Sequence, residues 1–148
     1  MKLKVYLWVV CILLTLCMCN AESHFKNCAE EQLSDDKPLQ CKIKSLQVDG
    51  NMPKVKDYMT CAFEASGWMP KGSNKLDTSK IAEDMTPNGF SIKNNLDEVA
   101  KECEGEFGAE ISAIDYLACL LIDEKTKKEF KMTLMIKEAE FFKQNLCN

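Results

Sequence analysis

Apolar residues recur along this chain at intervals of three and four, the period of helices that bury one stripe. Phe25, Cys28, Ala29 and Leu33 fall on one face of a first predicted helix. Ser34-Asp35-Asp36-Lys37-Pro38 then supplies a capping cluster with a proline suited to a first turn, followed by Leu39, Ile43 and Leu46. Pro53 can open a third helix, along which Val55, Tyr58, Met59, Ala62 and Phe63 hold a single buried stripe. Gly67 stands where a left-handed C-terminal cap belongs, and Trp68 just beyond it can pack back on the helix. Pro70-Lys71-Gly72-Ser73-Asn74 reads as a loop, and Asp77 or Thr78 as the cap of a short helix carrying Ile81 and Met85. After a turn at Pro87-Asn88-Gly89, Leu96, Val99, Ala100 and Cys103 share a face. A sixth helix with Ile111, Ile114, Leu117, Ala118, Leu121 and Ile122 is nearly apolar enough to be central, and the last is expected from about Phe130 to Leu146. No strand alternation of useful length, repeat or low-complexity tract occurs. The expectation is an all-α fold, a compact orthogonal array of about seven short helices around a cavity.

One apolar stretch has a different character. Met1-Lys2-Leu3-Lys4 is a cationic head, and Val5 to Leu16 is apolar except for Thr15. That run falls short of the roughly 20 residues of a membrane helix and fits a secretory signal peptide. Cys19 and Ala21 give a small-x-small pattern, so cleavage is expected after Ala21, with Cys19 the alternative. Residues 1–21 are read as the signal and 22–148 as one helical domain, secreted to the extracellular space.

Composition gains meaning once that segment is set aside. The full chain has 148 residues, 19 lysines, no arginine and 23 acids, for a net charge of −4. Removing Lys2 and Lys4 leaves 17 lysines against the same 23 acids, a net charge of −6. An acidic chain without the arginine fork excludes nucleic acid as a partner, and the charge also disfavours an anionic membrane. Of nine cysteines, Cys11, Cys17 and Cys19 lie in the signal, which also removes the metal-clip appearance of Cys17-Met18-Cys19. Cys28, Cys41, Cys61, Cys103, Cys119 and Cys147 remain, and six in an oxidising compartment imply three disulfides. Spacing alone does not choose among the 15 possible pairings.

The chain lacks the usual equipment of catalysis. His24 is the single histidine and sits within a few residues of the expected new terminus, where a general base is poorly held. Paired cysteines leave no nucleophile and no zinc ligand, and there is no phosphate loop or EF-hand pattern. No enzyme activity, cofactor or metal is expected. Glu138 is the most interesting carboxylate, because it interrupts the apolar face that Leu134 and Phe142 share. It is either a cation's partner or the edge of the stripe.

The cysteine spacing x12, x19, x41, x15, x27 is accompanied by Tyr58-Met-Thr-Cys61-Ala-Phe-Glu-Ala-Ser-Gly67-Trp-Met, by Gly72…Lys75-Leu76-Asp77 and by Tyr116-Leu-Ala-Cys119-Leu-Leu121. Together these resemble the insect odorant-binding protein superfamily. Within it they are most similar to the short salivary "D-seven" proteins of blood-feeding flies, over essentially the whole mature chain. Ordinary odorant carriers have Cys-x3-Cys in the third helix, whereas Asp57 stands here where the first of those cysteines would be. The resemblance implies the pairs Cys28–Cys61, Cys103–Cys119 and Cys41–Cys147. It also implies a trap for a small molecule, either a biogenic amine such as serotonin, histamine or noradrenaline, or a lipid mediator such as a leukotriene; a monomer is the default expectation, which the sequence does not itself report. By position, Lys44 falls where amine-binding members carry a basic residue and Tyr58 where they carry a histidine. Glu138 matches one acidic position of the last helix, while Met135 replaces the other and suits a more apolar ligand. From the residues alone, Lys44 is equally a surface lysine and Tyr58 equally a core tyrosine. Two other functions stay open: an odorant or pheromone carrier of antenna or haemolymph, and a protein-interaction module such as an anticoagulant that sets its acidic surface against basic exosites.

Overall fold

A computed structural model describes residues 22–47, 50–52 and 54–147, so the proposed signal segment and Pro53 lie outside the described residues. Eight α-helices form among them, and no strand. They are α1 His24–Gln32, α2 Lys37–Lys44, α3 Val55–Ala65, α4 Thr78–Met85, α5 Lys93–Phe107, α6 Ala113–Ile122, α7 Lys127–Lys137 and α8 Ala139–Phe142. Short 3₁₀ turns at Thr86–Asn88 and Gly108–Glu110 follow α4 and α5.

Local chemistry sets most of these boundaries. The Asp36 side chain accepts from the Leu39 amide at 3.1 Å and Asp77 accepts from the Lys80 amide at 3.0 Å, each satisfying a donor the helix cannot. Ser112 and Asp115 form a reciprocal capping box at the start of α6. At the end of α3, Gly67 adopts φ 73°, and the Trp68 and Met69 amides return to the Phe63 carbonyl at 2.9 and 3.2 Å. A side chain at position 67 would strain that left-handed turn. The turn drives Trp68 inward, edge-on to Phe63 with ring centroids 5.4 Å apart.

The packing order follows the stripes. α1 lies on α3, α3 on α6, α5 on α4 and α6, and α7 on α4 and α6, while α8 closes over α1. Disulfides join Cys28 of α1 to Cys61 of α3, Cys103 of α5 to Cys119 of α6, and Cys41 of α2 to Cys147 in the tail. The centre is packed with large side chains: Phe25, Tyr58, Phe63, Trp68, Phe130 and Phe141 are all fully buried. Phe25 is the hub, with its ring 6.1–6.4 Å from those of Tyr58, Trp68, Phe141 and Phe142.

Two sequence expectations are corrected. The α6 surface turns differently from its apolar pattern: Tyr116 and Leu120 are buried, Ala118 and Leu121 are half-buried, and Ile122 is 74% exposed. Ten residues cannot bury an all-apolar circumference when neighbours cover only part of it. The last helix is also not continuous. It breaks at Glu138, whose φ of −102° and ψ of 30° leave the helical range, and residues beyond Phe142 run as turn and tail.

Phe25→Ala is expected to cost about 3–5 kcal/mol, the range for emptying a buried aromatic position. Urea denaturation should show a lowered midpoint with an unchanged slope.

Candidate functional site

The break at Glu138 has a cause 115 residues away in sequence. The Glu138 side chain is fully buried, and its Oε2 accepts from the Ser23 hydroxyl at 2.8 Å and from the Phe25 amide at 3.0 Å. Ser23 is the N-cap of α1, so the carboxylate meets that helix at its positive end. Leaving helical geometry at 138 keeps the acid in that position, while its own carbonyl accepts from the Phe141 and Phe142 amides at 3.0 and 3.1 Å. Two phenylalanines are thereby delivered against Phe25.

The second carboxylate oxygen is different. Glu138 Oε1 is buried and has no hydrogen-bond partner among the described residues. A buried carboxylate lone pair left without a donor costs free energy, which a cationic guest would recover. Above the same helix end, the Tyr58 hydroxyl donates to the Phe25 carbonyl at 3.2 Å. Burial first, and the Glu138 charge second, hold the Tyr58 phenol well above its ordinary range. The Glu138 carboxylate and the Tyr58 phenol thus converge on the backbone of Phe25, while the rings of Trp68, Phe141 and Phe142 also pack against its side chain.

The structure brings Tyr58 and Glu138 into this cluster. Lys44 ends α2, half-buried and with no ion pair among the described residues, and Met135 is 39% exposed on α7. Neither belongs to the hydrogen-bonded cluster. Sequence reading missed Ser23, Phe25, Phe141 and Phe142 as members. Ser23 carries a local signal, since a serine ahead of a helical stripe is a capping residue, but nothing local pairs it with Glu138. A second, part-buried polar link joins the turn after α3 to α4 and α7: Trp68 Nε1 donates to Asp84 Oδ2 at 2.7 Å, and Lys137 Nζ lies 2.9 Å from that oxygen. The pair is only 23% and 17% exposed, which holds α7 in place beside Glu138.

No family model matches the chain. It is 72% identical over 148 residues to the "short form salivary protein D7S1" of Aedes aegypti, covering the whole of both chains. It is also 30% identical over 133 residues to the "neutrophil recruitment protein" of Aedes aegypti, covering 86% of this chain and 85% of that protein.

Glu138→Ala is expected to lower stability by about 2–4 kcal/mol, because two donors to a charged acceptor lose it inside the protein. Glu138→Gln should cost less, since its amide oxygen still accepts, and equal losses in urea denaturation would refute that account. The tyrosines supply a pH test. Tyr116 is also raised, first by burial and then by its 2.9 Å bond to Glu104, so both tyrosines of the described residues stay protonated in the fold above 10.0. With folded values above unfolded ones, their contribution is complete below pH 10 and is lost as pH rises further. Tyrosinate absorbance should appear together with loss of near-ultraviolet circular dichroism, and titration near pH 10 with the fold intact would contradict this.

Proposed function

The chain belongs to the short salivary D-seven family of odorant-binding-like proteins, and on that premise we propose that it is a secreted salivary protein that sequesters a small host mediator. Its action is stoichiometric and non-enzymatic: one molecule of ligand is removed per molecule of protein, so that haemostatic and inflammatory signals are blunted. The mature form begins after residue 21, and the ligand is a biogenic amine with an aromatic ring.

The observation that carries this reading is the unpartnered Oε1 of buried Glu138. An ammonium entering a protein loses hydration worth several kcal/mol and needs a negative partner with free lone pairs. Glu138 has one to give, because Ser23 and Phe25 occupy only Oε2. Ring faces nearby add attraction for a cation, on the order of 0.5–2 kcal/mol. The Tyr58 hydroxyl donates to the Phe25 carbonyl, and its oxygen still has lone pairs to accept from a ligand hydroxyl. An eicosanoid carboxylate at this place would meet like charge, and its better partner is Lys44. Met135 belongs to the same apolar-ligand alternative.

Access calls for motion. The rings of Phe141 and Phe142 fill the space beside Phe25, and both sit on the four-residue α8. So short a helix has little intrinsic stability, and swinging it outward makes room while the Cys41–Cys147 link keeps the tail tethered to α2.

Isothermal calorimetry on protein secreted by insect cells tests the proposal with serotonin, histamine, noradrenaline and a leukotriene. An amine should bind near one to one, and Glu138→Gln should weaken it about tenfold or more, equivalent to at least ~1.4 kcal/mol. No heat with any of the four would end the scavenger reading. Full affinity in the glutamine variant would remove Glu138 from the site, and leukotriene binding that depends on Lys44 would assign the lipid alternative instead.

A further inference from the structure

Two surface features stand apart from Glu138 and are opposite in charge. The first is a groove of about 300 Å³ between α5 and α6, floored by the Cys103–Cys119 disulfide. Phe107 and Ile122 line it while remaining 41% and 74% exposed. Its charged lining is entirely acidic: Glu102, Glu106 and Asp123. Lys125 reaches Glu102 at 3.4 Å but lies closer to Glu98, at 2.9 Å, and Glu106 has no hydrogen bond or ion pair among the described residues.

The second feature is the outward face of α7. Met132, Met135 and Ile136 follow at i, i+3 and i+4, and they are 44%, 39% and 55% exposed. Lys128 and Lys131 stand exposed one turn earlier on the same side, and neither has an ion pair among the described residues. Three large apolar side chains in one exposed row, framed by two free ammonium groups, make a face without a partner. Their exposure also means that this row does not fill the groove of its own molecule.

We infer that the acidic α5–α6 groove of one copy receives the lysine-framed Met132–Met135–Ile136 row of a second copy. Each feature supplies what the other lacks: apolar side chains meet an apolar floor, and ammonium groups meet the unpaired Glu106 carboxylate with Glu102 and Asp123 beside it. The contact is heterologous, joining two different faces, so it leaves a free groove and a free row at the ends of every assembly. It is small. A row of three side chains covers less than the roughly 1,200–2,000 Å² of stable complexes, so association is weak and belongs to concentrated secretion. Its charges are at the surface, so salt opposes it. The inference is independent of the amine reading.

Sedimentation equilibrium on protein secreted by insect cells provides the test, from micromolar to millimolar and at low and high salt. The average mass should rise with concentration at low salt, pass that of a dimer, and fall back when salt is added. Lys131→Glu and Glu106→Lys should each weaken association about tenfold, and the two changes combined in one chain should restore it. Ile136→Ser, which leaves every charge in place, should also weaken it. Circular dichroism should show all variants folded. Mass that stays monomeric throughout overturns the inference. So does association that ignores the single reversals, or that the double variant fails to recover.

Discussion

The contact between Glu138 and the first turn of α1 is the constraint on which the arrangement of the core depends. Its two hydrogen bonds tie the end of α7 to the start of α1 across 115 residues. Because the acid must reach inward, the last helix bends out of helical geometry at that residue. The bend lays α8 across α1 and turns Phe141 and Phe142 onto Phe25. Tyr58 completes the assembly by bonding the Phe25 carbonyl, so one residue's amide and carbonyl are both held by partners from distant helices. An apolar side chain at 138 could pack, but it would neither satisfy the buried Phe25 amide of α1 nor complement the dipole there.

That same contact is incomplete. A carboxylate able to accept several hydrogen bonds receives two, both on Oε2. Buried polar groups in folded proteins are usually satisfied, and an exception calls for a physical reason. Thr133 Oγ1 and Ser66 Oγ are the other buried side-chain atoms without partners among the described residues, but hydroxyls carry no charge. An ionised group is costlier to leave half-satisfied, so of the three Glu138 has the strongest claim to an outside donor. The nearest fixed charge to Tyr58 in this cluster is negative, and it adds to burial in raising that phenol.

Much of the fold was legible because it is written locally. Asp36, Asp77 and Gly67 sit at the helix ends where their side-chain or backbone chemistry is needed, and the stripes of α1, α3 and α5 are the buried ones. The failures are tertiary. Ile122 is as apolar as Leu120 and only neighbours decide which is covered. The periodicity of Leu134, Glu138 and Phe142 is helical on paper, and a bond to Ser23 breaks it. Glu138 stood out in the sequence for interrupting that face, yet its contacts with Ser23 and Phe25 depend on α1, which no spacing within α7 reports. Lys44 and Met135 entered through family position alone, and residues matched that way need not converge in space. The cysteine pairing likewise came from resemblance, since the spacing of six cysteines leaves it undetermined.

A chain this small can keep a half-satisfied carboxylate and an uncovered apolar row only if something else holds the native state. Each disulfide adds ~2–4 kcal/mol by restricting the unfolded chain, and the link from Cys41 to Cys147 closes a loop of 106 residues. One unpartnered lone pair costs about 1–3 kcal/mol. The covalent ties therefore exceed the local cost, and they do so without occupying the region where Glu138 and Phe25 meet. Cys28–Cys61 fixes α1 to α3, and Cys103–Cys119 fixes α5 to α6, so the walls are anchored from outside. Only α7 and α8 reach the carboxylate with no disulfide of their own. The disulfides fix the frame, and Phe141 and Phe142 sit on a four-residue helix between the Glu138 contact and the Cys41–Cys147 link.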